Sequence, residues 1–128
     1  MASVSVRYIV TDLDAAIAFY TRHLGFTVEM HPAPTFAMLR RGNLRLLLSV
    51  PSELGGGGQA MPDGRRPEPG GWNRFQLEVR GLESVVERLR AAGVRLRSDV
   101  IIGIGGNQIL LEDPSGNPIE LFEATRWP

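Results

Sequence analysis

Residues 10–26, VTDLDAAIAFYTRHLGF, carry the clearest local signal in the chain. Their apolar side chains recur at the spacing of one helix face: Leu13, Ile17, Tyr20 and Leu24. Either Thr11 or Asp12 can cap the first turn, and Gly25 is typical of the residue that ends a helix. The stretch therefore predicts a helix that begins after one of these caps and runs to about Leu24.

The same order of elements occurs twice along the chain. Val10–Gly25 and Val79–Gly93 each begin with a valine that ends an alternating run, continue with a helical pattern and close on glycine. The second pattern predicts a helix over Leu82–Ala92. Farther on, a Gly-Asn turn followed by a short apolar run occurs at 42–48 and again at 116–122. This internal repeat indicates two similar halves.

Strands are predicted on both sides of each helix. They are Val4–Val10, Phe36–Leu39, Leu44–Val50, Arg74–Val79, Gln108–Glu112 and Ile119–Phe122. The fold class is therefore α+β, with two βαβββ modules whose mixed sheets are each covered by a helix on one face. We expect the modules at residues 4–54 and 72–124 of one domain spanning 1–128. The uncovered sheet faces must meet each other, a second chain or a ligand.

Residues 55–71, GGGGQAMPDGRRPEPGG, separate the two modules. Glycine and proline dominate this segment, which predicts a loop because neither residue supports a helix or a strand ladder. The segment is either a solvated connector or a lid, in which case Arg65 and Arg66 would meet an acidic group.

Composition narrows the classes of partner. The 128 residues are 43% hydrophobic and 22% charged, and their formal net charge is zero, so the chain lacks the basic excess of a nucleic-acid-binding protein. No apolar run approaches the ~20 residues of a membrane span. The start of the chain, MASVSVR, is unlike a signal peptide, and the absence of cysteine fits the cytoplasm most simply. We therefore expect a cytoplasmic protein without nucleic-acid or membrane partners.

Two motifs stand at the ends of the repeated pattern. Val10–Tyr20, closing with His23–Phe26, opens it, and residues 113–121, DPSGNPIEL, close it. In this order they resemble the glyoxalase / bleomycin resistance protein / extradiol dioxygenase superfamily, also called vicinal oxygen chelate proteins. The resemblance implies sheets that curl into a cup, with helices on the outer face, usually completed by a homodimer. It leaves the reaction open, since isomerases, dioxygenases, thiol transferases and non-catalytic drug binders share these motifs.

The resemblance also implies positions for metal ligands, one on the first and one on the last strand of each module. On this sequence the first-strand positions are Ser5 and Arg74, and the last-strand positions are Leu46 and Glu120. Only the glutamate is a good ligand, because leucine has no donor atom, arginine is cationic and serine is a weak neutral ligand. The two histidines match none of these positions: His23 and His31. We therefore expect no bound metal and no cofactor.

Strand alternation predicts which side chains face the cup. The expected ligand-binding residues are Ser5, Arg7, Leu46, Trp72, Arg74, Gln76, Glu78, Glu120 and Phe122. Arg74 opposite Glu120 offers a charge-assisted pair across the position that a metal would fill. Alternatively, one or both of these residues contact a ligand or a partner chain.

The leading functional hypothesis is metal-independent sequestration of an aromatic or polycyclic small molecule in a dimeric cup, as in bleomycin resistance proteins. Trp72 and Trp127 are candidate stacking surfaces, or else they cover a module edge or a dimer seam. A second hypothesis is a lyase, isomerase or dioxygenase in which Glu120 is the catalytic base or one ligand of a degenerate metal site. A third is a dimer whose cup holds no ligand.

Overall fold

A computed structural model describes residues 3–125 and resolves them into two repeats of strand, helix and three strands. The elements of the first repeat are β1 (Val4–Ile9), α1 (Leu13–His23), β2 (Thr27–Ala33), β3 (Phe36–Arg41) and β4 (Leu44–Ser49). Those of the second are β5 (Gln76–Glu78), α2 (Leu82–Ala91), β6 (Ile101–Ile102), β7 (Gly106–Glu112) and β8 (Pro118–Ala124).

Each repeat forms a mixed four-stranded sheet. Sheet 1 has the strand order β1-β4-β3-β2, and sheet 2 has the order β5-β8-β7-β6. The first and last strands of each repeat pair in parallel, while the remaining neighbours are antiparallel. Helix α1 lies on strands of sheet 1, and α2 lies on β8 of sheet 2. The predicted α+β class with two βαβββ modules is confirmed.

The chain divides into two compact units. Unit 1 is Met1–Gly70 with Pro114–Asn117, and unit 2 is Gly71–Asp113 with Pro118–Pro128. The β7–β8 turn thus belongs to the first unit, where the Asn117 carboxamide donates to the Ile9 carbonyl (2.7 Å) and accepts from the Gly70 N–H (2.8 Å). Among residues 3–125, no helix has both the length and the apolar character needed to cross a membrane.

Helix α1 begins and ends as the sequence predicts. Of the two candidate caps, Asp12 fills the role: its carboxylate accepts the Ala15 N–H at 3.0 Å. The helix stops before Gly25, which adopts a positive φ of 72°. The side chains of this helix that pack inside unit 1 are Leu13, Ala16, Phe19 and Tyr20.

The N-cap residue of helix α2 is Gly81, which has no side chain to cap the helix. Instead, Glu123 of β8 accepts the Leu82 N–H at 3.0 Å and the Gly81 N–H at 2.7 Å. These hydrogen bonds, that from Leu82 foremost, lower the pKa of the Glu123 carboxyl because they favour its charged form. The helix ends at Ala91, one residue earlier than predicted.

Two strands escape prediction, and a third is shorter than expected. Strand β2 is exposed along nearly its whole length, and its pairing with β3 is irregular on both sides of Met30, so it lacks a period of two. Strand β6 has only two residues. Strand β5 spans Gln76–Glu78 rather than Arg74–Val79. Between Ser49 and Gln76 the chain forms neither helix nor strand, as the 55–71 composition predicts.

Candidate functional site

The face of sheet 2 opposite its helix carries most of the predicted site. Leu77 and Leu121 pair across β5 and β8, and both are buried in the core. Gln76 pairs with Glu120 in the same register and therefore lies on the other face. We call this the open face of sheet 2. Phe122 shares it, paired with Glu78 on one side.

Glu120 lies at the centre of a hydrogen-bond network on this face. The Arg74 guanidinium donates to its Oε1 through Nε at 3.0 Å and through Nη2 at 2.8 Å. The Gln76 carboxamide donates to Oε2 at 2.6 Å. Glu120 is buried, with 7% of its surface exposed, so this pairing compensates a charge that would otherwise be costly. The predicted ion pair of Arg74 with Glu120 is confirmed.

An exposed indole flanks this network. Trp72 has 70% of its surface exposed, and the Arg97 guanidinium lies 4.7 Å from its ring centroid, in cation–π range. Arg97 is in turn held by the Glu112 carboxylate (2.6 Å) and the Gly71 carbonyl (2.7 Å). Arg74 also donates to the Trp72 carbonyl at 3.3 Å. The indole is therefore fixed on one side and open on the other.

A glycine makes room for the second aromatic group of the open face. The Phe122 ring lies over Gly106 of β7, and a Cβ at position 106 would come within 2.5 Å of the ring edge. It would also collide with the Glu123 carbonyl. Gly106 thus allows a close approach of ring and backbone, as aromatic groups often do beside strand glycines.

The open face of sheet 1 carries Ser5 and Arg7, both exposed, but it does not carry Leu46. Leu46 pairs with Val6, is fully buried and lies on the helix side of the sheet, so its placement in the cup is wrong. The reason is register: the residue opposite Arg7 is Leu47, and a one-residue slip moves a side chain to the other face.

Two arginines of sheet 1 were missed as site candidates. Arg45 pairs with Ser5 on β1 and with Arg40 on β3, which places both arginines on the open face. Glu29 of β2 bonds Arg40 at 3.1 Å and lies 3.8 Å from Arg45. Because side chains alternate along β4, a register that places Leu46 in the core would have predicted Arg45 on the open face.

Comparison with known proteins shows the family to which this chain belongs. The family model described as Glyoxalase/Bleomycin resistance protein/Dioxygenase superfamily matches residues 3–121. This chain belongs to that superfamily. Among curated proteins, no match to this chain is found.

Solved structures of the superfamily share the fold over almost the whole chain. A superfamily member from Sphaerobacter thermophilus is 25% identical, with a TM-score of 0.74 over 96% of this chain and 97% of that one. Lactoylglutathione lyase from Agrobacterium tumefaciens is 23% identical, with a TM-score of 0.73 over 95% and 92%. TnmS3, an antibiotic binding protein from Streptomyces sp. CB03234, is 21% identical, with a TM-score of 0.73 over 98% and 97%.

The metal positions implied by the superfamily do not fit an ion here. Both carboxylate oxygens of Glu120 already accept hydrogen bonds, and the first-strand position holds the Arg74 cation. The true counterpart of Glu120 in sheet 1 is Leu47, which has no donor atom. Within residues 3–125, no group of three or more His, Asp or Glu side chains is placed to hold a metal.

The remaining candidates lie elsewhere. His23 ends α1 with its ring edge-on to Phe19 at 5.5 Å, and His31 is an exposed residue of β2. In the 55–71 loop, Arg65 pairs with Asp63 at 3.0 Å. Trp127 lies outside the described residues.

Proposed function

We propose that this superfamily member binds a flat, largely apolar small molecule on the open face of sheet 2 without a metal ion. The observation that carries the proposal is the state of Glu120. Arg74 and Gln76 use both of its oxygens, so the group that a metal would need is already neutralised by a fixed cation. A ligand here would meet a preorganised polar network rather than an open coordination site.

Trp72 supplies the stacking surface in this proposal. Arg97 fixes the indole, so a planar ligand that stacks on the free side does not have to immobilise the ring. Phe122, the other aromatic residue of the face, adds apolar contact area, and Gln76 offers a polar group that fixes orientation. The open face thus combines a few polar groups with aromatic walls.

The structural neighbours are consistent with binding and with catalysis. TnmS3 is an antibiotic binding protein, and another neighbour is a lactoylglutathione lyase. Because the ligand positions of this chain do not suit a metal, the antibiotic binding protein TnmS3 is a better basis for its function than the lyase. In this proposal the ligand is an aromatic or polycyclic compound. Glu120 orients Arg74 and Gln76 through hydrogen bonds and does not act as a catalytic base.

Tryptophan fluorescence tests the proposal. Titration with the neutral planar probe aminoanthracene should quench the emission of the wild type with saturation, because the probe stacks on Trp72. In Trp72→Leu, which removes the ring, quenching should be reduced, and the affinity read from the emission of the probe should fall about tenfold, as expected for one stacking contact of about 1–3 kcal/mol. Equal quenching in both proteins would refute binding at Trp72.

Elemental analysis separates binding from metal-dependent catalysis. Protein purified without chelators should carry less than stoichiometric zinc, nickel, iron or manganese. One metal per chain that disappears in Glu120→Gln would replace the binding proposal with a degenerate metalloenzyme.

We also propose that the protein acts as a cytoplasmic homodimer. The dimer is supported by three exposed isoleucines, Ile101 and Ile102 in edge strand β6 and Ile104 just after it. An apolar cluster on an unpaired edge strand is unfavourable in water and typical of a surface that another chain covers.

A further inference from the structure

The open face of sheet 1 carries an excess of positive charge. Its strands contribute three guanidinium groups, those of Arg7, Arg40 and Arg45, and a single carboxylate, that of Glu29. Like charges this close on one surface repel each other unless an anion compensates them. The excess is local, since the chain as a whole is neutral.

The arginines share the one carboxylate unequally. Arg40 is well satisfied: its Nε donates to Glu29 at 3.1 Å, and its Nη1 donates to the Gly42 carbonyl at 3.3 Å. Arg45 reaches the other oxygen of Glu29 only at 3.8 Å, beyond hydrogen-bond distance. Glu29 therefore neutralises one guanidinium and leaves the second without a full partner.

Arg45 is the unusual group of this cluster. Its Nε is buried and has no hydrogen-bond partner among the described residues, whereas 39% of the side chain as a whole is exposed. A half-buried guanidinium with an orphan donor is costly, and its remaining N–H groups are matched in geometry to a carboxylate, sulfonate or phosphate.

The neighbours of Arg45 complete a small site. Ser5, an exposed residue with a hydroxyl group, lies directly opposite on β1. Arg7 follows on the same face and has no ion-pair partner within residues 3–125. Leu47 of β4 pairs with Arg7 on one side and with Met38 on the other. Leu47 and Met38 thus form an apolar surface between the charged groups, which we call the apolar floor.

We infer that the open face of sheet 1 binds the oxyanion group of a small amphipathic molecule, with Arg45 as its principal partner and Ser5 and Arg7 beside it. The apolar floor favours a small organic acid over a polyanion, for which a neutral chain offers no extended basic surface. This inference concerns a different sheet and a different chemical group from the proposed stacking site. It can therefore fail while that site stands.

Thermal unfolding in sodium sulfate and in sodium chloride at equal ionic strength tests the anion site. Sulfate raises the melting temperature of many proteins, so the informative quantity is the difference between variants. The sulfate-specific rise should be larger in the wild type than in Arg45→Gln. Arg22→Gln, which removes the same charge from the exposed last turn of α1, is the matched control and should behave as the wild type. An equal rise in all three proteins would overturn the inference.

A pair of dyes tests the amphipathic ligand. Anilinonaphthalene sulfonate and phenylnaphthylamine share a ring system, but only the first carries an oxyanion. The sulfonate should bind the wild type at least about tenfold tighter, as expected for a charge-assisted hydrogen bond, and Arg45→Gln should abolish that preference. Equal affinity for the two dyes, or a DNA oligonucleotide that binds more tightly than the sulfonate, would refute the assignment. Quenching of Trp72 by aminoanthracene should be unchanged in Arg45→Gln, which keeps the two sites distinguishable.

Discussion

Arg74 holds Glu120 through two hydrogen bonds, at 2.8 and 3.0 Å, to the same carboxylate oxygen. The two side chains differ in exposure, 30% for the arginine and 10% for the glutamate, so the carboxylate depends on its partner more than the guanidinium does. The pair places a fixed positive charge at a position where the resemblance to the superfamily implies a metal ligand. Its energetics therefore bear directly on the proposed function.

Arg74→Met should destabilise the protein by about 2–3 kcal/mol, because it leaves a buried carboxylate with Gln76 as its remaining hydrogen-bond donor in the network. The double variant Arg74→Met, Glu120→Leu should recover most of this loss, since it removes the charge together with its partner. Urea denaturation of the wild type, both single variants and the double variant measures the coupling. Additive effects of the two substitutions would show that the pair contributes nothing to stability.

Glu123 should make the stability of the protein depend on pH. Its folded-state pKa is lowered, so the stabilisation it gives α2 is present above its ordinary pKa of 4.5 and is lost as pH falls through the folded-state value. Glu123→Gln should therefore lower the melting temperature at neutral pH and cease to matter in strong acid. Glu83→Gln, an exposed residue of the first turn of α2, is the control for charge alone. A difference from the wild type that stays constant with pH would contradict this role.

How far the sequence predicts the structure depends on the range of the interaction. Asp12 and Gly25 act within their own helix, so the limits of α1 could be placed from local pattern. Glu123 caps α2 from a distant strand, and no local pattern in either element reveals that contact. Arg97 likewise reaches Trp72 from an irregular segment without periodicity.

The open faces of the two sheets were not equally predictable. Arg74 and Glu120 follow from the resemblance to the superfamily, whose positions the internal repeat matches between the two halves, and the parallel pairing of first and last strands brings the two residues together. The same repeat fails at Leu46, since aligning the turns before the last strands displaces the register by one residue and exchanges the two faces. That error also concealed Arg45, the residue on which the oxyanion site depends.

The exposed isoleucines should control assembly. Ile102 and Ile104 are 83% and 104% exposed, so replacing both with lysine should leave folding almost unchanged while it disfavours burial against a second copy. Light scattering coupled to size exclusion should show a dimer for the wild type and a monomer for the variant. Leu54→Lys, at a similarly exposed loop position, should remain dimeric. A dimer that persists in the double variant would place the interface elsewhere.

Gly106 should be intolerant of a side chain, whereas its neighbour should not. A Cβ at Gly106 would meet the Phe122 ring and the Glu123 carbonyl, while one at Gly105 would have no atom within 4 Å. Gly106→Ala should therefore cost about 1–3 kcal/mol through overpacking, and Gly105→Ala should be neutral or slightly stabilising. Because the ring can relieve the overlap only by moving, Gly106→Ala should also weaken aminoanthracene binding on the open face of sheet 2. Chemical denaturation and the fluorescence titration measure the two effects separately. Loss of stability with unchanged binding would show that Phe122 takes no part in the site.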